Sequence, residues 1–262
     1  MKISANGIEV NYTVEGDGPW LTMSHSLACN LQMWDEEAKR LSKRYKVLRY
    51  DTRGHGASGA PAAAYTLELL ADDLHALLQA LGVQSTHFVG LSMGGMIGQT
   101  YALKYPGMFR SLALCDTTSR YPAEAAGLWA ERIKTVEAQG MEPLVESTLA
   151  RWFTAPFRQT HPDVVQKVAA MIRATPTTGY VGCSHAIPNI NLTARLKEIR
   201  CPALVIVGKD DAGTPVAMAE DIHRALPGSE LVVIPSAAHL SNLEQPDAFN
   251  RALGDFINQA NK

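Results

Sequence analysis

Apolar and polar side chains alternate from Ile8 to Val14, the period of a half-buried strand, and predict an edge strand there. Trp20 to Ser24 and Tyr45 to Tyr50, the latter interrupted by Arg49, predict two more short strands. The period then lengthens. Leucines at 67, 70, 74, 77, 78 and 81 form the stripe of an amphipathic helix over Thr66 to Leu81, and Gly82 stops it. Leu31 to Leu41, Met96 to Tyr105, Pro215 to Leu226 and Pro246 to Ala260 also follow the helical period. Thr86 to Val89, Ser111 to Cys115, Pro202 to Val207 and Glu230 to Ile234 are short apolar runs. The Val/Ile/Leu run ending at Val207 suits a parallel strand buried on both faces. Strands alternating with helices predict an α/β fold, a mostly parallel sheet with helices on both faces and right-handed crossovers. In such a sheet ligands bind beyond the strands' carboxyl ends.

From Ser119 to Asn191 the pattern is helical throughout, at 124–140, 142–152 and 163–174, with proline-containing breaks and no convincing strand. The expected organisation is therefore a core of residues 1–118 and 192–262 with a helical cap, 119–191, inserted between two strands. A chain of 262 residues is long enough for one large domain of this kind. The cap is rich in large apolar side chains, among them Trp129, Met141, Trp152, Phe153, Phe157 and Met171.

Net charge is −2, which gives no electrostatic case for nucleic acid or an anionic membrane as partner. The N-terminus lacks the apolar core of a signal peptide, and no run is long enough to span a bilayer. Cys29, Cys115, Cys183 and Cys201 show no C-x-x-C spacing, so free thiols in a reducing cytoplasm are expected. No H-x-x-x-H pair supports a helical zinc site, and neither metal nor cofactor is expected. A homo-oligomer stays open.

The chemistry gathers around Gly90-Leu91-Ser92-Met93-Gly94-Gly95, a G-x-S-x-G pattern between a strand and a helix. In that setting the turn is tight, small residues must flank it, and the serine hydroxyl stands at the top of the sheet. A serine needs a base, and the base needs an orienting acid; on this architecture the order is Ser, acid, His. His239 follows the last strand and is the expected base. His25 and His55 precede Ser92 and are better explained as loop-shaping hydrogen-bond partners. Asp211, at the end of the strand closing at Val207, is the leading acid; Asp116, at the end of the preceding strand, competes by topology. The backbone N–H of Met93 and that of Leu27, in the loop after Ser24, are the expected oxyanion donors. Trp34, Trp129 and Trp152 are candidate walls of a substrate pocket.

With these residues placed, the chain resembles an α/β-hydrolase over its whole length. Asp51-Thr52-Arg53-Gly54-His55-Gly56, the serine turn and the stretch from Gly208 to Pro215 are similar to that superfamily's hallmarks. Asp211 falls at its usual acid position. Nearer still, the chain resembles the 3-oxoadipate enol-lactonase and carboxylesterase group. The similarity lies in His25-Ser26-Leu27 with Met33-Trp34-Asp35, Arg49-Tyr50-Asp51-Thr52-Arg53, Arg151-Trp152-Phe153-Thr154, Gly179-Tyr180 with Cys183, and Ala238 to Glu244. Two positions depart. Ala28 stands where that family usually has Gly, and Ile187-Pro188-Asn189 where it tends to carry Ile-Arg-Asp.

The resemblance implies a hydrolase of small carboxylic esters or lactones that works through an acyl-enzyme. Broad carboxylesterases and acyl-homoserine lactonases share the cap, and the same triad serves C–C cleavage or perhydrolysis. A reading of a different class is a small-molecule receptor on a hydrolase fold. The missing basic residue near Pro188 leads to the expectation that neutral esters or lactones are hydrolysed at least as well as dicarboxylate enol-lactones, with Arg132 and Arg151 as the remaining anion partners.

Overall fold

The structure is a computed structural model describing residues 1–261. Eight strands form one sheet: β1 (Lys2–Ala5), β2 (Ile8–Glu15), β3 (Trp20–Ser24), β4 (Lys46–Tyr50), β5 (Thr86–Leu91), β6 (Phe109–Cys115), β7 (Ala203–Gly208) and β8 (Glu230–Ile234). Their order is β1-β2-β4-β3-β5-β6-β7-β8. β1 and β2 run antiparallel to each other, β2 runs antiparallel to β4, and every later pairing is parallel. The edge expected at Ile8–Val14 is thus one strand further out. β1 alternates as β2 does, but over only four residues, Lys2 to Ala5, too short a run to announce a strand by its pattern alone.

The helices in chain order are α1 (Asp35–Leu41), α2 (Leu67–Ala80), α3 (Met93–Lys104), α4 (Ala125–Gln139), α5 (Val145–Trp152), α6 (Ala155–Thr160), α7 (Pro162–Ala174), α8 (Thr177–Ala186), α9 (Val216–Ala225), α10 (Ser241–Glu244) and α11 (Pro246–Ala260). Among the described residues none is long and apolar enough to cross a membrane. β5 and β7 are buried along their whole length, as strands covered on both faces must be. The leucine stripe of α2 packs its Leu67, Leu70, Leu74, Leu77 and Leu78 side chains into the same core.

Between β6 and β7 the chain is helical, with α4 to α8 packed mainly on one another; a single bridge pairs Arg120 with Asn191 where the segment leaves and rejoins the sheet. The segment lies above the carboxyl ends of the parallel strands, where the loops after β3, β4, β5, β6, β7 and β8 converge.

Candidate active site

Ser92 lies between β5 and α3 at φ 55° and ψ −116°, a conformation L-residues avoid. The surrounding contacts hold it there. Its N–H donates to Cys115 O at 2.9 Å, and the Thr117 hydroxyl donates to Ser92 O at 2.7 Å. The turn closes only because the residues two before and two after Ser92 lack side chains. A Cβ at Gly90 would meet the Gly95 amide nitrogen at 2.7 Å, and one at Gly94 would meet the Ser24 carbonyl carbon at 2.6 Å. With Met93 as its first residue, α3 begins three residues earlier than the apolar pattern predicted. Its N-terminal amides and its dipole therefore face the space in front of Ser92.

His239 Nδ1 lies 2.8 Å from Asp211 Oδ2, and both residues are buried. The Asp211 carboxylate is held by further donors: the Gly213 and Thr214 amides to Oδ1 at 2.7 and 3.0 Å, and the Thr214 hydroxyl to Oδ2 at 2.7 Å. Burial pushes Asp211 upward, but the His239 charge and these hydrogen bonds outweigh it and leave the carboxyl below its ordinary value. Burial pulls His239 down, while the Asp211 charge and hydrogen bond outweigh it and leave it above 6.5. The neighbouring Asp210 is exposed and points elsewhere.

Asp116 has a different task. Its Oδ1 accepts the Gly208 N–H at 2.7 Å, and its Oδ2 pairs with the Ser241 hydroxyl at 2.5 Å. Complete burial, then the nearby Asp211 charge, push it up to about 8, so it is protonated at neutral pH. It makes no hydrogen bond to His239.

The loop after β3 is shaped by two buried imidazoles. His25 Nε2 accepts the Thr52 N–H at 2.9 Å, and His55 Nε2 accepts the Ala28 N–H at 3.0 Å. Each ring has its Nδ1 against a carbonyl oxygen, Ser26 O at 2.7 Å and Arg53 O at 3.2 Å, which requires the neutral Nδ1–H tautomer. Burial pushes them down to about 4 and about 3, which keeps both neutral at ordinary pH. Ala28 occupies the left-handed region at φ 59°, the conformation that favours the glycine found there in the resembled family. The Leu27 amide is left without a protein acceptor among the described residues, as is that of Met93.

Ser92, His239 and the Leu27 loop open into one cavity of about 270 Å³. Trp129 and Trp152 line it; the Trp152 ring lies 5.8 Å from that of His239. Trp34 does not line it. Its ring turns the other way, 6.1 Å from Phe249 of α11, and is fully buried in the core, so its candidacy as a pocket wall is corrected. The sequence reading missed Met96, Tyr121, Tyr180 and Ile187, which also line the cavity; apolar spacing alone cannot separate side chains facing a cavity from those facing a core.

Arg132 and Arg151 reach the cavity as well. Arg132 stacks 4.7 Å over Trp129, and Arg151 donates to the Thr148 hydroxyl at 3.3 Å. Among the described residues neither meets a carboxylate. Arg132 and Arg151 are half-buried; the two arginines that are buried among the described residues are paired, Arg49 with Glu15 and Asp35, and Arg53 with Asp73 at 2.6 Å. Burial, then the adjacent Arg132 charge, push the Arg151 guanidinium below its usual value. Among the described residues no cluster of three His, Cys, Asp or Glu side chains is arranged to hold a metal ion.

A family model described as the alpha/beta hydrolase fold matches residues 19–246. The 3-oxoadipate enol-lactonase 2 of Acinetobacter baylyi is 35% identical over 253 residues, covering 96% of this chain and 94% of the relative. The crystal structure of an enol-lactonase from Burkholderia xenovorans LB400 superposes with a TM-score of 0.95 at 35% identity, covering 98% of this chain and all of that one. A thermophilic esterase from Thermogutta terrifontis, solved with malate bound, gives a TM-score of 0.95 at 30% identity, covering 100% of this chain and 99% of its own.

Proposed function

The chain belongs to the alpha/beta hydrolase fold family, and on that premise we propose that it is a serine hydrolase of small esters or lactones that carry a carboxylate. The observation that carries the reading is one cavity. It is bordered by Ser92 and by the His239 of the Asp211 pair on one side, and by two arginines without carboxylate partners on the other.

His239 Nε2 takes the Ser92 proton as Oγ attacks the carbonyl carbon. Asp211 keeps Nδ1 protonated and stabilises the imidazolium that forms. Negative charge develops on the carbonyl oxygen between the Leu27 and Met93 amides. The ester bond breaks, the leaving oxygen takes the proton from His239, and an acyl-enzyme remains. Water, deprotonated by His239, then releases the acid and restores Ser92. An enol-lactone would open to an enol that tautomerises to the ketone. Residues 119–191 act as a cap over the core of 1–118 and 192–262, excluding water and supplying the arginines.

The departure at Ile187-Pro188-Asn189 pointed toward a neutral substrate. Arg132 and Arg151 point the other way, since two neighbouring guanidinium groups without an anion repel each other and a substrate carboxylate relieves that repulsion. The relative named for 3-oxoadipate enol-lactone supports the same class. The test compares kcat/KM for that lactone, a short-chain p-nitrophenyl ester and an acyl-homoserine lactone. A charge-assisted contact of about 1.5–3 kcal/mol corresponds to roughly ten- to a hundredfold. That much preference for the anionic lactone is expected, and Arg132→Ala or Arg151→Ala should remove it. Equal turnover of neutral substrates, unaffected by either variant, contradicts the anionic substrate. No turnover of any ester favours the receptor reading.

A further inference from the structure

Glu244 closes α10, shortly after His239, and its carboxylate is occupied from two directions. Oε1 accepts both the Thr154 N–H and the Thr154 hydroxyl, each at 2.8 Å. Oε2 accepts the Ala238 N–H. Alongside, the Leu240 N–H donates to Trp152 O at 3.2 Å. Trp152 and Thr154 flank Phe153, whose extended backbone separates α5 from α6; Ala238 and Leu240 flank His239. Two stretches far apart in sequence are thus joined across a buried carboxylate, with the base on one side and the cavity-lining Arg151 and Trp152 on the other.

We propose that Glu244 is a positioning residue that ties the loop carrying His239 to the end of α5, holding the base in register with Arg151 and Trp152. The proposal rests on the reading that His239 serves Ser92. The tie needs a carboxylate. Three donors converge on two oxygens, and a carboxylate presents acceptors only. An amide of the same shape offers one acceptor, so Gln turns an NH₂ group toward either the Ala238 N–H or the Thr154 N–H. Either choice sets donor against donor. A residue serving only as filler would accept Gln without loss, because volume is unchanged. Thr154 has its own second bond: its hydroxyl oxygen accepts the Phe157 N–H and caps α6, so the tie also fixes where α6 begins.

The experiment compares wild type, Glu244→Gln, Thr154→Val and Ser92→Ala. It reads kcat and KM for the best substrate of the panel, the thermal midpoint, and the downfield His239 Nδ1 proton by NMR. The expected result for Glu244→Gln is a folded protein whose kcat falls about ten- to a hundredfold, the range that misplacing a catalytic group produces. Its Nδ1 proton should shift or broaden. Thr154→Val, which deletes one donor to Glu244 together with the α6 cap, should show a smaller fall in kcat with the same shift of the Nδ1 proton, and that shift carries the test if Glu244→Gln does not fold. Wild-type kcat together with an unmoved Nδ1 proton in a folded variant overturns the proposal. Ser92→Ala separates the two readings: if it stays active, the serine mechanism fails, while the Nδ1 signal still reports directly on the tie.

Discussion

The His239 imidazole is pulled in opposite directions, and the balance sets how the protein should respond to pH. Burial favours the neutral ring; the Asp211 carboxylate, by its charge and its hydrogen bond, favours the cation and leaves His239 above 6.5. The base is the neutral form, so kcat/KM should rise with pH and reach half its maximum above pH 6.5. Asp211→Asn removes the charge and reverses the balance. Burial then dominates, and the midpoint should fall below 6.5 while kcat drops by about 10⁴. Asp116→Asn should do neither. At neutral pH Asp116 is already uncharged, and an Asn amide can take over the contact to Ser241, so kcat should stay within about threefold. A pH–rate profile of the three proteins checks this; a larger loss in Asp116→Asn than in Asp211→Asn would move the acid to the end of β6. At this scale the sequence was a good guide to which residues the fold gathers and a poor one to direction. Ser92, Asp211 and His239 are brought to one place, and His25 and His55 do shape loops. Trp34 faces the core, because the short 3₁₀ turn Leu31–Trp34 aims its indole at α11, a contact distant in sequence.

Among the elements, those with a strong period were legible and those held by contacts were not. The leucine stripe announced α2 to within a residue at each end. α8 was missed, since Gly179 and Gly182 lower its helical propensity and its buried face follows no simple stripe. Its position depends on one of those glycines. The turn after β4 brings Gly54, at φ 82°, against Gly179, where a Cβ on Gly54 would lie 2.5 Å from the Gly179 Cα. A Cβ on Gly179 would overlap the Gly54 backbone. The Tyr65 N–H to Gly182 O bond at 3.0 Å secures the same contact. Helical propensity alone would make Gly179→Ala stabilising by about 1 kcal/mol. The contact predicts the opposite: a net loss of at least about 1 kcal/mol in urea unfolding. KM should rise too, because Tyr180 on the same helix lines the cavity. A stabilised variant with unchanged KM would mean that α8 does not depend on this approach.

At the scale of the whole molecule, the alternation of strands and helices implied a mostly parallel sheet, and its switch to an all-helical stretch after Ser119 implied the insertion. Both readings rely on patterns many residues long, where single errors average out. The added edge strand β1, the short α6 and α10, and the residues that share the cavity depend on tertiary contacts that no local pattern records. The substrate's charge belongs to this scale too, because Arg132 and Arg151 come from different helices and meet only in the folded chain. The central claim, that this fold presents Ser92 as a nucleophile, has a direct test. A p-nitrophenyl phosphonate should inactivate the enzyme stoichiometrically, with peptide mass spectrometry placing the adduct on Ser92. Ser92→Ala should take up no label, keep its fold and lose about 10⁴- to 10⁶-fold in kcat. An adduct on another residue, or a Ser92→Ala protein that hydrolyses the same substrates at the wild-type rate, would contradict it.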